Sequence, residues 1–233
     1  MRYLPNGKQM SEADAHTIHE IGIPSLVLME RAALQIVETM HKKNISTEKS
    51  LIVCGSGNNG GDGFAVARLL TEQGKHADVL FAGKEASLSE ECRCQKQIVE
   101  NMGISVFTEF PDEEYTVIID AVFGVGLCRE ITEHYKDVID WMNLQDAEKV
   151  AVDIPSGICA ATGKILGTAF RADLTVCMAC AKLGCELFPG KSYAGESIPV
   201  AIGIDPKYFS NRLDVCYTFD KNDLGKLLPS RMM

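Results

Sequence analysis

The chain has no apolar run approaching the roughly 20 residues that span a bilayer. Its first residues, Met1-Arg-Tyr-Leu-Pro-Asn, carry neither a signal-peptide core nor an Arg- and Ser-rich transit pattern. A cytoplasmic protein is expected. Positive charge is in deficit, with 23 Lys and Arg against 32 Asp and Glu, a net charge of −9. That balance argues against nucleic acid and anionic membranes as partners. The five histidines, His16, His19, His41, His76 and His134, include no H-x-x-x-H ligand spacing. There is no internal repeat and no low-complexity segment.

Cysteine is plentiful, but its nine copies are an odd number and Cys54, Cys177 and Cys180 fall inside apolar runs. Free cysteine behaves as a small buried hydrophobe, which fits a reducing compartment better than a disulfide framework. Cys177-Met-Ala-Cys180, with Cys185 nearby, has no second pair and no histidine partner, so a zinc or redox centre is not expected there. At 233 residues, 46% of them hydrophobic, the chain forms one large domain or two small ones.

The most informative stretch is Leu51-Ile-Val-Cys-Gly-Ser-Gly-Asn-Asn-Gly-Gly-Asp-Gly-Phe64. A buried strand runs into a glycine-rich loop, and an amphipathic pattern follows through Phe64, Ala67 and Leu70. Glycine lets a ligand lie against the main chain, and a helix start offers unpaired N–H groups. Gly55, Gly57 and Gly60 fit G-x-G-x-x-G, a dinucleotide signature that is weak in isolation. Two features weaken that use. Asp62 sits where the helix is expected to begin and would repel a phosphate. The next strand, Ala77-Asp-Val-Leu-Phe81, has Asp78 at its start, whereas a ribose-binding acid belongs at the end. Asn58, Asn59 and Asp62 suit hydroxyls, an amide or a cation.

Strands are expected at 50–54, 77–81, 104–107, 116–121, 149–153, 173–178 and 197–202. Helices are expected at 63–73, 89–102 and 132–143. Nearly unbroken apolar strands are those of a parallel sheet covered on both faces, an α/β doubly wound pattern. Ahead of them, Ser11-Glu-Ala-Asp14 reads as a capping box, Ile21-Gly-Ile-Pro24 as a break, and Ser25 as the cap of a second helix. In the tail, Asp214–Phe219 reads as an edge strand, with a short helix from about Lys221.

In an open parallel sheet, ligands sit outside the carboxyl ends of the strands. Three such ends carry chemistry: the loop at 55–63, Ile119-Asp-Ala-Val-Phe-Gly-Val-Gly126 and Val152-Asp-Ile-Pro-Ser-Gly157. Asp120 and Asp153 each close a buried strand, which is costly unless the carboxylate is paired, hydrogen-bonded or bound to a cation. With Asn and Ser beside them they form a hard-oxygen cluster, suited to an alkali or alkaline-earth ion rather than zinc.

Together, Gly55-Ser-Gly-Asn-Asn-Gly-Gly-Asp-Gly63, Asp120–Gly126 and Val152–Gly157 resemble the NAD(P)H-hydrate epimerase, or YjeF N-terminal-domain, family. Gly22-Ile-Pro, Leu28-Met-Glu, Gly195-Glu and Ile202-Gly-Ile also fit, so the resemblance covers nearly the whole chain. It implies a Rossmann-like three-layer α/β/α sandwich with a mostly parallel sheet. It implies interconversion of the C6 epimers of hydrated NADH or NADPH, the small-molecule substrate NAD(P)HX. Substrate-binding positions carry over to Asn58, Asn59, Gly60, Gly61 and Asp62, to Gly124, Val125, Gly126, Leu127, Cys128, Arg129 and Glu130, and to Asp153. Ligands for one K⁺ per subunit carry over to Asn59, Asp120 and Ser156. Asp153 is the candidate proton carrier. An NAD(P)-dependent oxidoreductase and a non-catalytic nucleotide- or lipoprotein-binding module stay open as alternatives.

The tail Asp223-Leu-Gly-Lys-Leu-Leu-Pro-Ser-Arg231 resembles the joint to an ADP-dependent dehydratase domain in bifunctional relatives. The expected division is therefore an epimerase domain over 1–225 and the start of a linker over 226–233. The apolar face from Leu26 to Met40 exceeds what one sheet edge needs, so a homodimer packed through it is expected.

Overall fold

Seven short apolar runs pair side by side because each can be buried on both faces only within a covered sheet. The computed structural model describes residues 2–219 together with Asp223 and Gly225. The strands of the main sheet are β2 (Lys49–Cys54), β3 (His76–Phe81), β4 (Val106–Phe107), β5 (Val117–Ala121), β6 (Glu148–Val152), β7 (Leu174–Met178) and β8 (Glu196–Val200). They lie in the order β4-β3-β2-β5-β6-β7-β8, all parallel. Every expected strand of the alternating region is present, with ends differing by a residue or two.

Alternate strand residues face opposite layers. Ile52, Cys54, Val79, Ile119, Val150 and Val152 join one core with Ile36 and Met40 of α2 (Ser25–Lys42), Phe64 and Leu70 of α3 (Asn58–Glu72), and Val99 of α4 (Glu90–Asn101). Leu51, Val53, Leu80, Ile118 and Ala151 join a second core with Val138, Ile139 and Met142 of α5 (Glu133–Leu144). The result is the expected three-layer sandwich. Among the described residues, no helix is long and apolar enough to cross a membrane.

The ends of the chain depart from expectation. The first helix, α1 (Gly7–His16), opens four residues before Ser11, because Asn6 and Gln9 form the capping box instead. Ser11 lies inside the helix and donates to Gly7 O at 3.1 Å. The chain leaves α1 through a π-helical turn, Thr17–Ile21, that ends on Gly22 in the left-handed region. Ser25 is the first residue of α2 rather than its cap, the cap position being Pro24. The expected edge strand at Asp214–Phe219 does not join the main sheet. Its middle, β9 (Cys216–Thr218), pairs antiparallel with β1 (Arg2–Leu4) in a separate ribbon. The approach to β9 clamps α1: Gln9 Nε2 donates to Asp214 O at 2.7 Å and Arg212 bridges Glu12 at 2.6 Å.

The face of α2 bearing Leu28, Ala32, Ala33, Ile36, Val37 and Met40 is buried in the chain's own core, while Leu26, Val27 and Leu34 stay exposed. The helix expected from about Lys221 falls largely outside the described residues, and 226–233 falls wholly outside them.

Candidate active site

The strand order turns at β2 and β5, and a crevice opens at their carboxyl ends, the place where open α/β sheets bind ligands. The loop after β2 enters α3 earlier than its glycines suggest. The helix begins at Asn58, with Gly57 at the cap position and no side-chain cap. Asp62 therefore lies in the second turn, not at the start, so it does not cover the free N–H groups of the first turn. Glycine is a poor helix former, but packing requires it here. A Cβ on Gly60 would meet Gly55 O at 2.0 Å, one on Gly61 would meet Met29 Cε at 2.5 Å, and one on Gly63 would meet Ala121 Cβ at 2.6 Å. These glycines let α3 lie directly on the sheet and on α2.

Asp120, the penultimate residue of β5, is fully buried. Its Oδ1 accepts from Ser156 Oγ at 2.6 Å and Val122 N at 3.2 Å, and its Oδ2 accepts from Ser156 N at 2.7 Å. Ser156 Oγ also accepts from Phe123 N at 2.8 Å, tying the loops after β5 and β6 together. Burial lifts the Asp120 carboxyl to about 6, with the neutral Ser156 donors pulling the other way. Among the described residues no cationic side chain pairs with it. Nearby, Asn59 Nδ2 is buried without a hydrogen-bond partner, an amide that can also present its oxygen after a flip. A buried carboxylate without a counter-charge, with hydroxyl and amide oxygens close in the fold, fits a hard cation of low charge.

Asp153 follows β6 and is built differently. Its φ is +71°, and Ile154 N donates to Val152 O at 2.8 Å, making a tight three-residue turn. The next strand ends alike: Ala179 has φ +60° and Cys180 N donates to Met178 O at 2.7 Å. Such conformations cost about 1–3 kcal/mol each and persist where surroundings hold them. Here they are held by one carboxylate oxygen. Asp153 Oδ1 accepts from Met178 N at 2.9 Å and forms an ion pair with Lys182 Nζ, which also donates to Met178 O at 2.8 Å. Lys182 is 1% exposed. Burial, the largest single influence, opposes its charge, but the charge and hydrogen bond of Asp153 together with the Cys177 and Cys185 thiols hold the ammonium above its ordinary value.

These groups border a cleft of about 660 Å³. Of the residues expected to bind substrate, Asn58, Asn59, Asp62, Gly124, Val125, Gly126, Leu127, Cys128, Arg129 and Asp153 line it. Gly60 and Gly61 are packed behind the wall, and Glu130 lies beyond the lining. Asp120 and Ser156 sit beneath the floor. Three charged residues not singled out from sequence also face the cleft, Lys84, Lys182 and Asp14 of α1. Asp14 resembles any charge on an amphipathic helix. Lys182 follows the carboxyl end of β7, a position that the strand-end rule applied to every strand would have flagged. Burial, then the charges of Asp153 and Asp14, push Asp62 well above the ordinary carboxylate range, with Lys182 working against them. Asp14 is raised too, by burial first and then by Asp153.

Residues 25–184 match the family described as YjeF-related protein N-terminus. The chain is 41% identical over 201 residues to an NAD(P)H-hydrate epimerase of Oenococcus oeni, covering 85% of this chain and 96% of the relative. It is 43% identical over 197 residues to an NAD(P)H-hydrate epimerase of Limosilactobacillus reuteri, covering 84% and 93%. A crystal structure of yeast ynu0 superposes with a TM-score of 0.72 over 92% of this chain and 99% of that one, at 18% identity, a likeness of fold. On the extent of these matches and on its intact strand-end loops, the chain belongs to the YjeF N-terminal, NAD(P)H-hydrate epimerase family.

Proposed function

We propose that this chain interconverts the (R)- and (S)-forms of hydrated NADH or NADPH, a repair of damaged nicotinamide cofactor. What carries the reading is the cleft itself. An open helix N-terminus and two inward carboxylates, Asp153 and Asp62, meet at the sheet's switch point, in a chain whose near full-length relatives bear the epimerase name.

Inversion at C6 breaks and remakes one of two bonds. Either the hydroxyl leaves while the ring-nitrogen lone pair forms C=N, or the C6–N bond opens to an aldehyde and recloses. Each route delivers a proton to one heteroatom and removes one from another, work worth about 10²–10⁴ in rate for a placed carboxylate. Asp153 is the proton carrier. Asn58, Asn59, Asp62 and Gly124 to Arg129 would flank the substrate, with the open N–H groups at the start of α3 suited to phosphate and hydroxyl oxygens. Asn59, Asp120 and Ser156 would hold one K⁺ per subunit, whose charge would offset the buried Asp120 carboxylate. The exposed Ile21, Leu26, Val27 and Leu34 support a homodimer. A cytoplasmic setting completes the reading.

The test is purified (R)-hydrate in potassium buffer, followed to the (S)-form. Equal rates with and without protein refute the epimerase. Oxidation of NADH with an added electron acceptor would instead favour an oxidoreductase.

A further inference from the structure

Lys182 is a charge that the proposed chemistry has not used, and it is the most deeply buried ionic side chain beside the cleft. Burying an ammonium costs several kcal/mol unless it is well paired. Its partners are specific. Together with Met178 N, the ammonium saturates Asp153 Oδ1. Oδ2 of Asp153 accepts no hydrogen bond from the described residues, and the residue lines the cleft. Asp62 lines the same cleft with neither a hydrogen bond nor an ion pair from them. The titratable groups facing it are Asp14 of α1, Asp153, Lys182, and the thiols of Cys54 on β2 and Cys92 on α4. Two carboxylates sharing a cleft do not both ionise cheaply. The one beside an ammonium keeps its charge and the other keeps a proton.

We propose that Lys182 sets complementary roles for two of the three carboxylates that line the cleft, Asp14 on α1 being the third: it positions Asp153 as the ionised base through Oδ1, and Asp62, lacking such a partner, is the proton donor. This rests on the epimerase reading. In the ring-opening route, Asp153 takes the proton of the C6 hydroxyl, and the O–H pair becomes the second C=O bond. The C6–N1 pair passes to the nitrogen, which takes the Asp62 proton. Reclosure on the other face reverses each transfer, so both residues return to their starting states. In the hydroxyl-loss route, the Asp62 proton leaves in water with the C6–O pair. Water adding to the other face gives its proton to Asp153, which releases it to solvent as Asp62 takes one up, so both residues return to their starting states.

The experiment compares kcat/KM against pH for wild type, Asp62→Asn, Lys182→Met and Lys182→Arg with (R)-NADPHX. A wild type without turnover overturns the epimerase reading, whereas an active wild type with unaltered variants overturns only the assignment made here. Asp62→Asn is expected to lose about 10²-fold and the alkaline limb of the profile. Lys182→Met is expected to lower kcat with little change in KM and to move the acidic limb up by a pH unit or more. Lys182→Arg restores that limb towards wild type. An acidic limb unmoved in Lys182→Met, or an alkaline limb intact in Asp62→Asn, refutes the assignment. Should Lys182→Met not fold, carboxyl ¹³C titration of the wild-type protein, assigned with Asp62→Asn, decides: Asp62 keeps its proton above the ordinary carboxylate range, and an Asp62 that ionises within that range overturns the proposal.

Discussion

β5 and β6 lie side by side, and each is followed or closed by a buried aspartate, yet the two carboxylates meet opposite surroundings. Asp120 is wrapped in three neutral donors from the Ser156 and Val122 segments, beneath the cleft floor. Asp153 is gripped on one oxygen by a buried lysine, and its residue stands in the cleft. The same residue at the same kind of strand end thus divides into one braced inside the loops and one presented to the cleft, and the proposed chemistry falls on the second. What separates them is the charge of the neighbour and access to the cleft, not the aspartate.

The comparison breaks most visibly at Asp153. Asp153→Asn keeps a side chain able to accept from Met178 N and Lys182, so the fold is expected to survive while turnover drops by about 10²-fold or more. Circular dichroism beside a (R)-to-(S) assay separates the two; near wild-type turnover would move the chemistry to another residue.

Asp120→Asn is expected to act on stability and ion response before chemistry. An amide has one acceptor oxygen for three donors, so at least one buried donor loses its partner, a cost of about 1–3 kcal/mol. Urea unfolding with and without K⁺ tests this; an unshifted midpoint and an unchanged K⁺ response would erase the contrast with Asp153.

Ser156→Ala removes one hydroxyl and leaves Phe123 N unpartnered. A loss of about 1 kcal/mol is expected, at the lower end for a buried bond, readable as a lower urea midpoint. A turnover loss as deep as that of Asp153→Asn would mean the two strand ends are not separable.

Asp62 extends the series to a carboxylate with no hydrogen-bonded partner among the described residues. Its folded-state pKa is raised above the unfolded value, so the folded chain holds the proton longer. Stability from this group is present below the ordinary carboxylate range and is lost as pH rises towards the folded value. Asp62→Asn should therefore flatten that decline. Parallel stability–pH curves for the two proteins would contradict the shift.

The sheet was legible because parallel strands buried on both faces leave near-continuous apolar runs, such as Val117-Ile-Ile119 and Val150-Ala-Val152. The strand-end aspartates were legible because a carboxylate closing such a run needs a reason. The start of α3 was not, since Gly60, Gly61 and Gly63 serve close packing, and that need is invisible to helix propensity. Nor was the ribbon: three-residue strands have no periodicity, and the pairing of Leu4 with Cys216 bridges nearly the whole chain. Lys182 was missed because a lysine between alanine and leucine reads as surface until its aspartate is placed beside it.

The clamp on α1 imposes an order in time. Glu12 and Arg212 are separated by 200 positions, and synthesis runs at about 5–20 residues per second. The helix that carries Asp14 to the cleft therefore waits on the order of 10–40 s for the segment that pins it. The sheet can assemble in that interval, but this wall of the cleft cannot be secured. Nascent chains stopped before residue 212 would hold a sandwich whose α1 rests on core packing through Met10 and Ala13 without that latch.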